Sequence, residues 1–169
     1  MDGTEQKQLE AMYEQEAKNI YKYLYHLCQN KETAEDLTAE TFLRAAKSLS
    51  RFRGECKESV WLCQIAKHLW CRELKRQKKT EPLTCDVEAV SEQDVEEQVL
   101  ASLGRLEWFQ KMQGLEPVTR EVMYLRLYGD LSFREIGEVL GRSENWARVT
   151  FYRGKQKMKG VYQNGKDKL

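Results

Sequence analysis

Residues 131–159, LSFREIGEVLGRSENWARVTFYRGKQKMK, leave few folds open. Ser132 precedes Glu135 by three positions, the spacing at which a serine hydroxyl and a glutamate carboxylate satisfy each other's backbone amides at a helix start. Gly141 supplies a helix stop, and Ser143 can cap a second helix two residues later. Two helices joined by so short a glycine-containing turn must cross steeply, which is helix-turn-helix grammar. At 100° per residue, Ala147, Phe151, Gly154 and Met158 share one face of the second helix and should pack. The opposite arc carries Asn145, Val149, Tyr152 and Gln156, flanked by Arg148 and Arg153. Such an arc combines base-edge donors and acceptors, a methyl-contacting group and phosphate-binding guanidiniums. A three-helix fragment without a DNA function can mimic the pattern, so the motif points to DNA without naming a task.

The rest of the chain is equally helical in pattern. Apolar residues recur at spacings of three and four from about residue 5 to 30, through Leu9, Met12, Tyr13, Ala17, Ile20, Tyr21 and Leu24. Thr33, with Asp36 three residues on, offers the next N-cap, and Leu37, Phe42, Leu43 and Ala46 extend the stripe. After a break at Arg53 and Gly54, a long helix should start near Glu58 or Ser59, with Leu62, Ile65, Ala66 and Leu69 turned inward. Residues 80–95 lack helical spacing and form an expected linker. Beyond it four helices are expected: Val99 to Met112, Val118 to Tyr128, Phe133 to Leu140, and Glu144 to about Lys159. The expected fold is therefore all-α: two small helical domains, 1–79 and 96–169, joined by an acidic linker, with the helix-turn-helix in the second.

Net charge is only +1, but it is sorted along the chain. Residues 1–43 hold four basic and nine acidic side chains, whereas residues 44–79 hold eleven basic and three acidic. Residues 80–98 have seven acids and no base, and Arg142 to Lys159 carries six bases against Glu144. A solvated helix face accounts for either basic block alone. Two blocks on helical patterns, separated by acid, suit a chain that grips phosphates at two places. The five cysteines, Cys28, Cys56, Cys63, Cys71 and Cys85, form no C-x-x-C pair and are expected to be reduced thiols, not a disulfide framework or zinc site. The N-terminus lacks the apolar core of a secretion signal and no stretch is long enough for a bilayer, so a cytoplasmic location without membrane insertion is expected. With His26 and His68 as the only histidines, no catalytic residue, metal or cofactor is assigned.

Three passages in order then resemble the extracytoplasmic-function group of the sigma-70 family, over about residues 8–160. AEDLTAETFLRAAKSLSRFRGE (34–55) is similar to the acidic segment with which that family binds the polymerase clamp. VWLCQIAKHLWCRELKRQKK (60–79) resembles the helix that, with its preceding loop, reads and opens the minus-10 element. REVMYLRLYGDLSFREIGEVLGRSENWARVTFYRGKQKMK (120–159) looks like the minus-35 reader.

The resemblance implies core polymerase contacts at Asp36, Leu37, Glu40, Thr41, Phe42 and Leu43, although core packing is the plainer reading of Leu37, Phe42 and Leu43. It places Arg51, Arg53 and Lys57 at the loop that captures an unstacked minus-10 base, with Lys67, Arg72, Lys75 and Arg76 along the strand backbone. For Trp61 it implies core support over base stacking. Arg142, Ser143, Asn145, Arg148, Val149, Tyr152, Arg153 and Lys155 match the minus-35 surface. Partners implied are bacterial core RNA polymerase, promoter DNA and an anti-sigma factor. The acidic linker would be either a polyanion mimic in a polymerase channel or a plain tether. Ala39 and Ala46 depart from the family's frequent glutamine and tryptophan, and Trp146 and Thr150 from its frequent small and basic residues, so the minus-35 sequence does not follow by analogy. The competing reading is a stand-alone helix-turn-helix regulator, which would need a dimerisation surface and leave the acidic passage beside the basic helix without a use. A DNA-acting enzyme would need a carboxylate cluster that the sequence does not assemble.

Overall fold

A computed structural model of the chain describes residues 2–80 and 110–166, with side chains described through 79 and over 110–159. The helices are α1 Gly3–Cys28, α2 Lys31–Ser48, α3 Glu58–Thr80, α4 Pro117–Leu127, α5 Phe133–Leu140 and α6 Glu144–Lys166, with a 3-10 turn at Leu49–Arg51. Residues 110–113 are also helical. Among the described residues there is no strand, as the all-α expectation required. Of the expected linker at 80–95, Thr80 instead closes α3, and residues 81–95, most of the helix expected from Val99, and Cys85 lie outside the described residues. The chain divides into two compact units.

In the first unit α1, α2 and α3 each pack on the other two. Met12, Ile20 and Leu24 of α1, Ala34, Phe42 and Ala45 of α2, and Val60, Leu62, Ala66 and Leu69 of α3 form its buried interior. These are the positions that recur every three or four residues, and each large one stabilises the fold by roughly 1.5–3 kcal/mol through removal from water. Ile65, expected inside with them, is only half-buried.

Two threonines are enclosed as well. Thr38 Oγ1 donates to Ala34 O at 2.6 Å and Thr41 Oγ1 to Leu37 O at 2.7 Å, so each hydroxyl is satisfied by its own helix.

The α1–α2 corner differs from expectation. Gln29 adopts the left-handed region (φ 55°) and its amide bonds Tyr25 O, which closes α1 two residues earlier than the periodicity suggested. With α1 stopped there, the extended Asn30 falls at the cap position. Its Oδ1 accepts from Thr33 N at 2.9 Å, so Thr33 receives the cap that it was expected to provide.

In the second unit Pro117 occupies the first turn of α4, where its missing N–H costs nothing, and α4 packs along α6. Met112, Val122, Met123, Leu125, Ile136, Ala147 and Met158 are almost wholly buried. The helix-turn-helix follows its local chemistry closely. Glu135 N donates to Ser132 Oγ (3.1 Å) while Ser132 N donates to Glu135 Oε2 (2.7 Å), a complete capping box. Gly141 ends α5 at φ 66°, and Trp146 N donates to Ser143 Oγ at 3.1 Å to open α6. The turn folds back on α5: Arg142 N donates to Gly137 O at 2.8 Å, and a Cβ on Gly137 would lie 2.6 Å from Arg142 O. Only glycine allows that approach. Helix α6 runs to Lys166, past the end expected near Lys159.

Candidate functional site

The α2 candidates divide by burial. Asp36 is exposed and Leu43 is 53% exposed, whereas Leu37 and Phe42 are buried and Thr41 is fully enclosed. Phe42 meets the exposed Tyr13 edge-on, with centroids 4.9 Å apart. Glu40 is half-buried and accepts from Arg44 Nε at 2.9 Å. Asp36, Glu40 and Leu43 are thus the outward group, and Thr41 packs the interior. The family resemblance had grouped all six together.

Between the 3-10 turn and α3 the chain passes through Gly54 at φ 70°, and Arg51, Arg53 and Lys57 are all exposed around this loop. Phe52 stacks on Trp61, with ring centroids 4.6 Å apart and planes at 24°. That stack ties the loop to the first turns of α3, so Trp61 already has an aromatic partner within the unit. On α3, Arg72, Lys75 and Arg76 are exposed and Lys67 is half-buried.

A groove runs between α2 and α3, lined by Leu37 and Leu69 with Glu40, Arg44, Arg72, Glu73, Lys75, Arg76 and Lys79. Five cations face two acids there, and both acids are engaged by neighbours on their own helix. Glu73 takes two bonds from Arg76, at 2.7 and 3.0 Å, and Arg76 holds the Glu73 carboxyl below the usual glutamate range. The remaining positive charge suits a polyanionic strand or an acidic surface. Glu40 and the α3 cations, which sequence reasoning assigned to different tasks, therefore meet around one groove. Arg44 and Glu73 were not singled out, although their spacings of four from Glu40 and three from Arg76 were a readable signal.

The α6 arc is sorted as its projection required. Ala147, Phe151, Gly154 and Met158 are buried, whereas Asn145, Arg148, Val149, Tyr152, Arg153 and Gln156 are exposed. Arg142 is exposed and lies 5.4 Å from the half-buried Trp146 ring, and Lys155 is half-buried. Ser143 is exposed with its hydroxyl engaged as the helix cap. Tyr152 (51%) and Val149 (38%) expose apolar surface beside the guanidiniums. Arg148 also bonds Glu144 across one turn at 2.8 Å. Among the described residues no three His, Cys, Asp or Glu side chains converge as a metal set, and no helix is long and apolar enough to cross a membrane.

Comparison with known proteins adds an independent observation. A family model described as Sigma-70 region 2 matches residues 12–80, and one described as Sigma-70, region 4 matches 105–158. The ECF RNA polymerase sigma factor BldN of Streptomyces coelicolor is 33% identical over 147 residues, covering 84% of this chain and 55% of that protein. RNA polymerase sigma factor YlaC of Bacillus subtilis is 31% identical over 155 residues, covering 89% of this chain and 90% of that protein. The chain thus spans about half of the first relative and nearly all of the second. Among solved structures, the sigma factor RpoE in complex with the anti-sigma factor NepR, from Bartonella quintana, superposes with a TM-score of 0.76 at 14% identity, covering 93% of this chain and 98% of that one. CnrH in complex with the cytosolic domain of CnrY superposes at 0.65 with 16% identity, covering 94% and 90%. At these identities the structural matches speak for the fold.

Proposed function

The chain belongs to the sigma-70 family of RNA polymerase sigma factors, in its extracytoplasmic-function group, and from that membership we propose that it binds bacterial core RNA polymerase and directs initiation at promoters with particular minus-10 and minus-35 elements. The observation that carries the proposal is the division of α6 into a buried stripe and a polar, cationic arc whose members are all exposed. A duplex major groove accepts a helix presented this way.

In this reading residues 1–79 form the polymerase- and minus-10-binding domain, 80–95 the acidic linker, and 96–169 the minus-35-binding domain. Asp36, Glu40 and Leu43 supply the docking contacts of α2. Arg51, Arg53 and Lys57 border the captured base, and Lys67, Arg72, Lys75 and Arg76 hold the melted strand through its phosphates. Arg142, Asn145, Arg148, Val149, Tyr152 and Arg153 face the minus-35 duplex, with Ser143 and Lys155 at its margin. The work is binding and strand separation, with no covalent step, and it takes place in the cytoplasm. An anti-sigma factor covering the α2 surface is the further partner, a reading supported by RpoE, which has this fold and is found in complex with the anti-sigma factor NepR. A stand-alone regulator is not favoured, because two sigma-region matches in sequence order leave the first unit without a role under that reading.

The test mixes the purified chain with cognate core polymerase, follows co-elution, and maps start sites on genomic DNA from the source organism. Co-elution with discrete new start sites is the expected result. A folded, partner-free chain that fails to associate with active core, or binds palindromic duplex alone, overturns the reading.

A further inference from the structure

Among the described residues, Arg148 is the one guanidinium of the α6 arc for which contacts both within its helix and outside it define the position. Its Nη2 donates to Glu144 Oε1 at 2.8 Å, and its Cζ lies 5.6 Å from the centre of the Phe133 ring on α5. Phe133 is in turn fixed by its neighbours. Its ring stands 5.5 Å from the buried Phe151 and 6.1 Å from Tyr152, and Arg126 approaches it at 4.8 Å while bonding Leu131 O. One α5 side chain therefore touches two exposed members of the arc on α6.

We infer that Phe133 and Glu144 are positioning residues that set the orientation of Arg148, and for Phe133 of Tyr152 also, so that promoter selectivity depends on two residues outside the DNA-facing arc. The inference rests on α6 being the minus-35 reader. Neither contact is strong alone: the Glu144 and Arg148 side chains are 50% and 46% exposed, and water screens such a pair. Their joint effect is on freedom. A solvated arginine samples many rotamers and loses them when it binds, whereas one held by a carboxylate and a ring has fewer to lose. Direction matters equally. Helical side chains lean toward the N-terminus, and an acid four residues earlier draws the guanidinium further that way, toward the end of a recognition helix that enters the groove. One fork nitrogen is engaged by Glu144, and the others remain to contact a base edge.

The experiment uses the full chain with core polymerase and a promoter library randomised across the minus-35 element, with the minus-10 region fixed to that selected by the unaltered chain. Arg148→Ala should flatten the preference at one or two base pairs. Glu144→Gln should flatten the same base pairs by about threefold, the scale of a weak ion pair plus its geometric effect, while total retention of DNA holds or rises because a negative charge has been removed. Phe133→Leu should do likewise and also relax the base pair facing Tyr152. In an Arg148→Ala background, Glu144→Gln should add nothing.

Unchanged preference with Glu144→Gln, or an undiminished effect of that change once Arg148 is gone, overturns the positioning role. If Arg148→Ala itself changes no base-pair preference, the reading of α6 as the minus-35 reader fails at this residue and the inference falls with it. Phe133→Leu is judged only if its thermal transition matches that of the unaltered chain. Glu144→Gln, at a half-exposed site, keeps the inference open to refutation in either case.

Discussion

Gly154 of α6 and Thr119 of α4 approach so closely that a Cβ on the glycine would stand 2.8 Å from Thr119 Cγ2 and 3.1 Å from Met123 Sδ. The methionine can move, but a β-branched side chain buried in a helix has few rotamers to offer. Gly154→Ala should therefore destabilise the second unit by about 1 kcal/mol, overpacking outweighing the roughly 1 kcal/mol helix-propensity gain. Combined with Thr119→Ser, which removes the obstructing methyl, the same change should become neutral or stabilising. Urea unfolding of the four proteins reads this out, and simple additivity would show that the two residues are not in conflict.

The helix-turn-helix contains two glycines that should fail differently. At Gly141 a Cβ meets nothing within 4 Å, so Gly141→Ala should cost only the left-handed backbone penalty, about 1 kcal/mol. At Gly137 the Cβ would lie 2.6 Å from a main-chain oxygen that cannot swing away, so Gly137→Ala should cost at least twice as much and loosen the turn. Thermal unfolding and minus-35-dependent transcription should rank the variants in that order. Equal losses would mean that the Arg142 carbonyl yields.

Leu43 and Phe42 are neighbours on α2 with opposite burial, 53% and 6% exposed. Phe42→Ala should lower stability by about 3–5 kcal/mol and reduce polymerase binding only through unfolding. Leu43→Ala should leave stability within about 0.5 kcal/mol and weaken association with core polymerase severalfold. Denaturation and co-elution measured on the same samples separate the two. Undiminished association of Leu43→Ala would remove this side chain from the docking surface.

Glu73 is held below its usual protonation range by hydrogen bonds from Arg76, with Gln77 contributing. A carboxyl whose folded value is depressed adds stability above its unfolded value and loses that contribution as pH falls through the folded one. A carbon-detected NMR titration should place the Glu73 midpoint below that of ordinary glutamates, and Arg76→Ala should raise it toward them. The acid side of the stability profile should move with it by a small amount, since the pair is exposed. An unmoved midpoint would mean that Arg76 does not engage Glu73 in solution.

Arg153 is exposed on α6 beside the arc, in a position suited to phosphate more than to a base edge. Arg153→Ala should weaken duplex binding uniformly across minus-35 sequences, lower the slope of log affinity against log salt by about one, and spare core polymerase binding. Competition binding at several salt concentrations checks this. Altered selectivity with an unchanged slope would move Arg153 to the base-reading group.

Where the sequence was informative, the information was local. Ser132, Glu135, Gly141 and Ser143 each dictate what their immediate backbone does, and the turn they predict is the turn observed. The α6 faces follow from period alone because the buried set, Ala147, Phe151, Gly154 and Met158, includes the small residues that close packing needs. Elsewhere local rules met competing ones. Thr33 is as good a cap as Asn30 in isolation, and the choice is made by Gln29, whose left-handed backbone ends the preceding helix and which no propensity marks out. The last helix was expected to end at about Lys159, yet α6 continues through Gly160 and Gly165. The acids that accompany Arg44 and Arg76 were legible as spacings, but that Glu40 shares a groove with α3 depends on how two helices lie together, which no single-helix pattern contains.

The self-bonded hydroxyls of α2 bear on how that helix meets its surroundings. Thr38 and Thr41 return their protons to carbonyls one turn back, and Ser48 does the same to Arg44 O. What they present beyond the helix, in the two threonines, is chiefly a methyl group. A helix that hydropathy scores as polar thus behaves toward its neighbours as though lined with small hydrocarbons. A group packed against these threonines does not have to supply a matching donor or acceptor, so a purely hydrocarbon neighbour leaves no hydroxyl unsatisfied at either position.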